Sequence, residues 1–222
     1  MPRRLMLATE NEHKVREIRS LLADLDVVVS HLGELHDPPE LTETGETFAE
    51  NARQKACAVA QATGELALAD DSGLMVDTLG GEPGVRSARY AGEGGSQQDL
   101  IEKLLRELGG VEPCDRTARF VCALSLCGPE GEIGRWEGVA EGIITREPRG
   151  EGGFGYDPVF YYPPRQMTLA QMSAADKNQV SHRGRALRAF RRDLPAILQS
   201  HNAQVGHCSP TSAPDKERPP WS

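Results

Sequence analysis

The sequence predicts an α/β fold with a mixed central sheet and flanking helices, and three observations carry that prediction. A short apolar run, RLMLAT, passes directly into a segment whose apolar residues recur at helical spacing. Strand-like and helix-like segments go on alternating through the first half of the chain, the pattern of α/β proteins. In the second half, two long strand-like runs flank GPEGE, which reads as an antiparallel hairpin, so the sheet is not wholly parallel. At 222 residues the chain is long enough for one domain with a sizeable core, or one domain split into two lobes.

Taken in order, RLMLAT predicts a first strand. ENEHKVREIRSLLADL then places Val15, Ile18, Leu22 and Leu25 on one helical face. Thr9 and Glu12 have capping-box spacing, which puts TENEHK at a helix N-terminus with its free backbone N–H groups pointing outward. After a proline-containing connection, TFAENARQKACAVAQATG gathers Phe48, Ala52, Ala56, Val59 and Ala60 on one face. Thr47 and Glu50 form a second capping box there, and Gly64 is the stop. LALA predicts a short buried strand ending at Asp70, and LMVDTLGGEPG an extended segment closing in a glycine and proline turn. A helix from Gln97 to Leu108 starts at Ser96 and Asp99 and stops at Gly109 and Gly110.

The hairpin follows: RTARFVCALSLC alternates Phe120, Cys122, Leu124 and Leu126 with smaller residues, and IGRWEGVAEGII returns across the turn. A glycine-rich loop, REPRGEGGFGYDPVF, leads to a short helix from about Thr168. A last helix, RALRAFRRDLPAIL, has Leu187, Phe190, Leu194 and Ile197 as its apolar positions. Residues 1–198 are thus the expected domain, and residues 199–222 have the composition of a disordered tail without catalytic groups. No internal repeat is visible.

Composition narrows the function classes. Hydrophobic residues at 38% and charged residues at 26% are ordinary for a globular protein. A formal charge of −8 argues against nucleic acid as a partner, so an anionic ligand needs a local basic pocket or a metal. No apolar stretch approaches the roughly 18 residues of a membrane span, and MPRRLMLATE has too short an apolar segment for a signal peptide. The expectation is a cytoplasmic protein without a membrane partner. Cys57, Cys114, Cys122, Cys127 and Cys208 include no C-x-x-C pair and read as reduced, mostly buried thiols with no assigned chemistry.

Four stretches carry candidate chemistry, each with a plainer reading beside it. TENEHK has Thr9, Asn11 and Lys14 at a helix N-terminus, where N–H groups and a cation can hold phosphate. Taken alone it reads rather as a capped surface helix with a solvated lysine, because the two glycines of a P-loop are missing. GEGGFGYDP offers Gly150, Gly152, Gly153 and Gly155 for close backbone approach, with Phe154 and Tyr156 as flat faces for a base. The same residues suit a flexible loop with an aromatic anchor. KNQVSHRG brings together Lys177, His182 and Arg183, donors for phosphate or a base edge, or else a solvated basic face. LALADDSG ends a small apolar run in the adjacent carboxylates Asp70 and Asp71. A persisting strand sends them to opposite faces, and an inward carboxylate then needs a metal or a cation. The alternative is a turn in which Asp71 or Ser72 caps the next N–H groups.

Taken together and in this order, LATENEHK, ETGETFAENARQKA, LADDSGLMVDTLGGEPGVRSARYAG, EGIITREPRGEGGFGYDPVF and VSHRGRAL closely resemble the Ham1 family of inosine triphosphate pyrophosphatases. The resemblance runs from about Leu5 to Phe190. It implies a mixed α/β fold of two lobes around a cleft, homodimeric and magnesium-dependent. The implied activity is hydrolysis of the deaminated purine nucleotides ITP, dITP and XTP to monophosphate and pyrophosphate. By motif, Thr9, Glu10, Asn11, Glu12, His13 and Lys14 would hold the triphosphate. Asp71 would be a metal ligand and the catalytic proton acceptor, and Ser72 a substrate contact. Phe154, Gly155, Tyr156 and Asp157 would line the base pocket with Lys177, His182 and Arg183. Some members have two successive acids before the Thr-Gly pair, where this chain reads Thr42 and Glu43 before Thr44 and Gly45, so Glu43 becomes the better metal candidate and Thr42 contributes no carboxylate.

On this expectation, Lys14 and Lys177 offset the charge of the triphosphate, and donors facing the 6-oxo group select the base, since an adenine amino group would leave them unpaired. Two other readings compete. One is a haloacid-dehalogenase-type phosphatase, whose working carboxylates stand two residues apart rather than adjacent. The other is a nucleotide sensor that uses the same pocket without turnover.

Overall fold

The computed structural model describes residues 3–205, with side chains from residue 4 to residue 199. Seven strands form one mixed sheet in the order β2-β1-β3-β4-β5-β6-β7. Strand β1 (Arg3–Leu7) lies parallel to β2 (Val27–His31) on one side and to β3 (Leu66–Val76) on the other. From β3 onward every pairing is antiparallel, through β4 (Thr117–Gly128), β5 (Gly131–Ile144), β6 (Phe160–Tyr162) and β7 (Met167–Thr168).

The helices are α1 (Glu12–Leu22), α2 (Phe48–Thr63), α3 (Gln97–Glu107), α4 (Ala174–Val180) and α5 (His182–Val205). Alternation along the strands divides them between faces. Leu5, Leu7, Leu66 and Leu68 pack against Ile18 and Leu22 of α1 and Phe190 and Leu194 of α5. Met6, Ala67 and Ala69 face the other way, onto Ala52, Ala56, Val59 and Ala60 of α2. A third core joins Leu74, Val76 and Phe120 to Leu100 and Leu104 of α3, Ile144 and Phe160. Strands β3 and β4 therefore run through both halves of the molecule, and residues 70–73 lie where β3 passes from one to the other.

Several local expectations are corrected. Asn11, not Thr9, caps α1, its side chain accepting from the N–H groups of His13 and Lys14; Thr9 Oγ1 instead accepts from Asn11 N–H. Residues 66–76 are one continuous strand, because its pairing with β4 runs unbroken from Ala67 to Val76 and leaves no turn at Asp71 or Ser72. The edge strand β2 was not anticipated, since its pairing with β1 is non-local. The short helix begins at Ala174, and Thr168 instead ends β7 and caps a 3-10 turn. Helix α5 continues to Val205, past residue 198; residues 206–222 of the expected tail, with Cys208, lie outside the described residues.

The cysteine reading is also corrected. Cys57 of α2 and Cys127 of β4 form a disulfide, while Cys122 is buried and free and Cys114 exposed and free. The packing of α2 on β4 brings two Cα atoms 70 positions apart in sequence to 5.1 Å, a proximity that spacing alone does not reveal.

Candidate active site

Asp70 and Asp71 occupy successive positions of β3 and therefore opposite faces of the sheet. Asp70 points toward α1 and α5. Its carboxylate accepts from Arg183 Nε at 2.8 Å, pairs with Lys14 Nζ at 2.7 Å and accepts from Ser72 Oγ at 2.8 Å. Asp71 points toward α2, where its Oδ1 accepts from Lys55 Nζ at 2.9 Å, and its buried Oδ2 has no hydrogen-bond partner among the described residues. The same Lys55 ammonium donates to Glu43 Oε1 at 2.6 Å and to the Asp70 carbonyl at 3.1 Å.

Local structure explains how Glu43 reaches this point. The capping box of Thr47 and Glu50 fixes the start of α2. Two α2 side chains then hold the preceding loop: Asn51 Oδ1 accepts from Gly45 N–H at 2.8 Å and Gln54 Oε1 from Thr44 N–H at 3.1 Å. Two residues beyond Asp71 and on the same face of β3, a Cβ on Gly73 would lie 2.4 Å from the Ser87 hydroxyl, which accepts from Leu74 N–H at 2.9 Å. This close approach seats the segment 84–89 over the strand.

The glycine-rich loop folds around Asp157. Its Oδ2 accepts from Phe154 N–H at 2.8 Å and from Lys177 Nζ at 2.7 Å. Gly153 has φ 71°, and a Cβ there would stand 2.1 Å from that same Oδ2, so the position requires glycine. Phe154 stacks on His13, with ring centroids 5.1 Å apart, and the Lys177 ammonium lies 4.6 Å from its centroid. Tyr156 is turned into the core, and its hydroxyl donates to the Ser87 carbonyl at 2.9 Å. At the start of α5, His182 stacks on Phe120 with ring centroids 4.7 Å apart and leaves its buried Nδ1 without a partner. Glu17 of α1 ties the far elements together, accepting from Lys177 at 2.8 Å and from Arg183 at 2.5 Å.

These groups surround a cavity of about 680 Å³. Of the residues expected from sequence, Thr9, Glu10, Asn11, Lys14, Glu43, Asp71, Ser72, Phe154, Gly155, Tyr156, Asp157, Lys177, His182 and Arg183 line it. Glu12 and His13 do not: helix geometry turns Glu12 toward His31, 3.9 Å away, and His13 toward the back of Phe154. Tyr156 reaches the cavity wall, but its ring is buried and it offers no flat stacking face. Lys177 is not a free cation either, since Glu17 and Asp157 both hold it.

Sequence reasoning missed Lys55, Glu17 and Arg89. For Lys55 a signal existed, a lysine set within the apolar stripe of α2 between Ala52, Ala56 and Val59, where a charge demands a partner. Glu17 gave none, because its partners lie 160 and 166 residues away.

Charge and burial set the protonation states. Burial alone would raise the Asp70 carboxyl, but Arg183 and Lys14 hold it well below the usual carboxylate range. Burial pushes the Asp71 carboxyl up against the opposing pull of Lys55. For Glu43 burial is outweighed by Lys55, and its carboxyl is lowered. Lys55 is kept protonated because Asp71 and Glu43 outweigh its own burial. Burial, reinforced by Arg183, holds the His182 imidazole well below its ordinary value and therefore neutral.

The donor set fits a hard divalent cation. Asp71 Oδ2 is a buried carboxylate oxygen with no partner, and Glu43 is a second carboxylate on the same ammonium. Among the described residues no cluster of three or more His, Cys, Asp or Glu forms a complete metal cage. Two carboxylates completed by ligand phosphates and water is the usual manner of holding magnesium.

Comparisons with known proteins place this architecture. The Ham1 family model matches residues 5–193. The dITP/XTP pyrophosphatase of Bacillus licheniformis is 50% identical over 184 residues, covering 83% of this chain and 94% of that protein. The dITP/XTP pyrophosphatase of Bacillus subtilis is 48% identical over 191 residues, 86% and 96% of the two chains. Among solved structures, the Ham1 protein of Staphylococcus aureus superposes with a TM-score of 0.78 at 42% identity, covering 87% of this chain and 98% of that one. A HAM1 protein from Coxiella burnetii gives 0.80 at 42% identity with the same coverage. With the match spanning nearly all of the described residues, this chain belongs to the Ham1 family.

Proposed function

We propose that this protein is a dITP/XTP pyrophosphatase that hydrolyses ITP, dITP and XTP to the monophosphate and pyrophosphate. The observation that carries the chemistry is the unpartnered, buried Oδ2 of Asp71, set beside Lys55 and Glu43 in a cavity that Phe154 and His182 also line. Relatives with the dITP/XTP pyrophosphatase name share about half of their residues with this chain.

In this reading Asp71 Oδ2 takes the proton of the attacking water, a role that its raised pKa favours. The water oxygen bonds to the α-phosphorus, the bond from that phosphorus to the bridging oxygen breaks, and pyrophosphate leaves as one unit. Asp71 and Glu43 would hold magnesium, which neutralises phosphate charge and polarises the reacting phosphoryl group. Lys14 and the N-terminus of α1 face the phosphates, and Lys55 keeps the two carboxylates ionised and together.

At the base end, two of the three Lys177 N–H donors are engaged by Glu17 and Asp157, leaving the third for an acceptor such as a 6-oxo group. An adenine amino group would meet that donor with another donor, which disfavours it. The dehalogenase-type reading loses support because Asp70 and Asp71 face opposite sides of β3 and Asp70 is already held by Lys14 and Arg183. The family resemblance also supports a cytoplasmic homodimer, which sedimentation of the purified protein tests.

The deciding assay incubates the protein with dITP, XTP, dATP and dGTP, with and without magnesium, and separates pyrophosphate from orthophosphate. Magnesium-dependent pyrophosphate release from dITP and XTP is the expected result. Orthophosphate as first product would reject the assignment, and tight binding without turnover would favour a sensor.

A further inference from the structure

The cations around the cavity differ sharply in how far they are already neutralised. Lys14 is held by the Asp70 carboxylate at 2.7 Å and Lys55 by Glu43 and Asp71 at 2.6 and 2.9 Å. Lys177 is held by Glu17 and Asp157 at 2.8 and 2.7 Å, and Arg183 by Glu17 and Asp70 at 2.5 and 2.8 Å. All four side chains are at most 15% exposed. Arg89 is different: among the described residues its one carboxylate contact is Nη1 to Glu43 Oε2 at 3.5 Å, and its side chain is 42% exposed on the cavity wall.

The charged contacts also link the groups of the cavity into two sets. From Phe154 they run through Lys177 and Arg183 to Asp70 and Lys14, and across β3 from Asp71 through Lys55 to Glu43 and Arg89. Arg89 joins the second set at Glu43, the carboxylate that shares Lys55 with Asp71, and so stands beside the two metal candidates. Its backbone is firmly placed: the next residue, Tyr90, is buried, and its carbonyl accepts from Lys103 of α3 at 2.8 Å. A fixed backbone with a loosely paired guanidinium is suited to turning onto an incoming phosphate.

We infer that Arg89 is the residue that grips the terminal phosphates, the half of the substrate that leaves as pyrophosphate, exchanging its loose contact with Glu43 for a forked one with phosphate oxygens. Lys14, Lys177 and Arg183 share the three carboxylates of Asp70, Asp157 and Glu17, and Lys55 faces two, so these cations have little net attraction left for a polyanion, whereas Arg89 offers nearly a full charge and a planar fork. The exchange also releases Glu43 Oε2 from Arg89, while Oε1 stays on Lys55. This inference rests on the pyrophosphatase reading, because it assigns the base to the Phe154 end.

The test compares wild type with Arg89→Ala and Arg89→Lys in magnesium buffer, measuring KM for dITP and inhibition by inorganic pyrophosphate and by dIMP. For Arg89→Ala the expected result is an increase of about tenfold or more in KM and an equal loss of pyrophosphate inhibition, with dIMP inhibition unchanged. Arg89→Lys should recover part of the pyrophosphate affinity, and it guards against misfolding of the alanine variant. Equal weakening of pyrophosphate and dIMP, or no change in either, would overturn the role. A wild type that releases orthophosphate from dITP would fail the underlying reading instead, and direct titration with pyrophosphate would still decide whether Arg89 binds it.

Discussion

Asp70 and Asp71 are neighbours in sequence, yet one carboxylate is clamped between Lys14 and Arg183 while the other, across the sheet, keeps an oxygen without any partner. The strand's two-residue period turns an apparent repulsion into two separate environments. One aspartate is structural in its bonding, and the other is left chemically available.

Asp71→Asn should therefore lower kcat for dITP by about 10²–10⁴-fold, the usual span for loss of a general base. The thermal midpoint should change little, because the amide retains a similar shape beside Lys55. Pyrophosphate release in a continuous assay checks the first point, and near-wild-type turnover would remove Asp71 from the proton-transfer role.

Asp70→Ala should behave in the opposite way, as a stability variant. It leaves Arg183 buried with only Glu17, and Lys14 without its carboxylate, a loss of about 3–5 kcal/mol for breaking a buried pair. Urea unfolding measures it. A change under about 0.5 kcal/mol, the range of ordinary surface substitutions, would contradict the clamp.

Glu43→Gln should raise the magnesium concentration needed for half-maximal activity by about 10–100-fold, the scale seen when groups around a metal are altered. It should leave dIMP inhibition intact, since the ion-pair partners of Glu43 among the described residues are Lys55 and Arg89 and none of the groups around Phe154. An unchanged magnesium titration would exclude Glu43 as a ligand.

Buried, neutral His182 predicts a pH dependence of stability. Its folded-state pKa is depressed, so below its unfolded value near 6.5 the unfolded chain binds a proton that the folded chain does not. Stability should then fall as pH drops from about 6.5 toward the depressed folded value, by up to about 1.4 kcal/mol per pH unit. Urea midpoints at pH 7.5, 6.5 and 5.5 measure the slope, and His182→Gln should flatten it. An identical slope in both proteins would show that His182 titrates normally.

Much of this architecture could be read from local pattern. The capping box at Thr47 and Glu50, the αL stop at Gly64, the start of α3 at Ser96 and the hairpin of β4 and β5 all appear where residue types a few positions apart demand them. The motif series brought most of the cavity-lining residues to notice, Asp71 and Phe154 among them. These features are local, and one sequence window contains the whole of the physical reason for each.

What the tertiary structure alone decided is which charges meet. The edge strand β2 depends on β1 for its hydrogen bonds, and the Cys57–Cys127 bond on how α2 lies over β4. Glu17 of α1 meets Lys177 of α4 and Arg183 of α5 only because the fold brings these three helices together. The composition shows a surplus of acid, and the fold determines that Lys14, Lys55, Lys177 and Arg183 are matched by carboxylates while Arg89 is only loosely paired. Coulomb interaction and desolvation act through space over a few ångströms, and separation along the chain does not encode that distance.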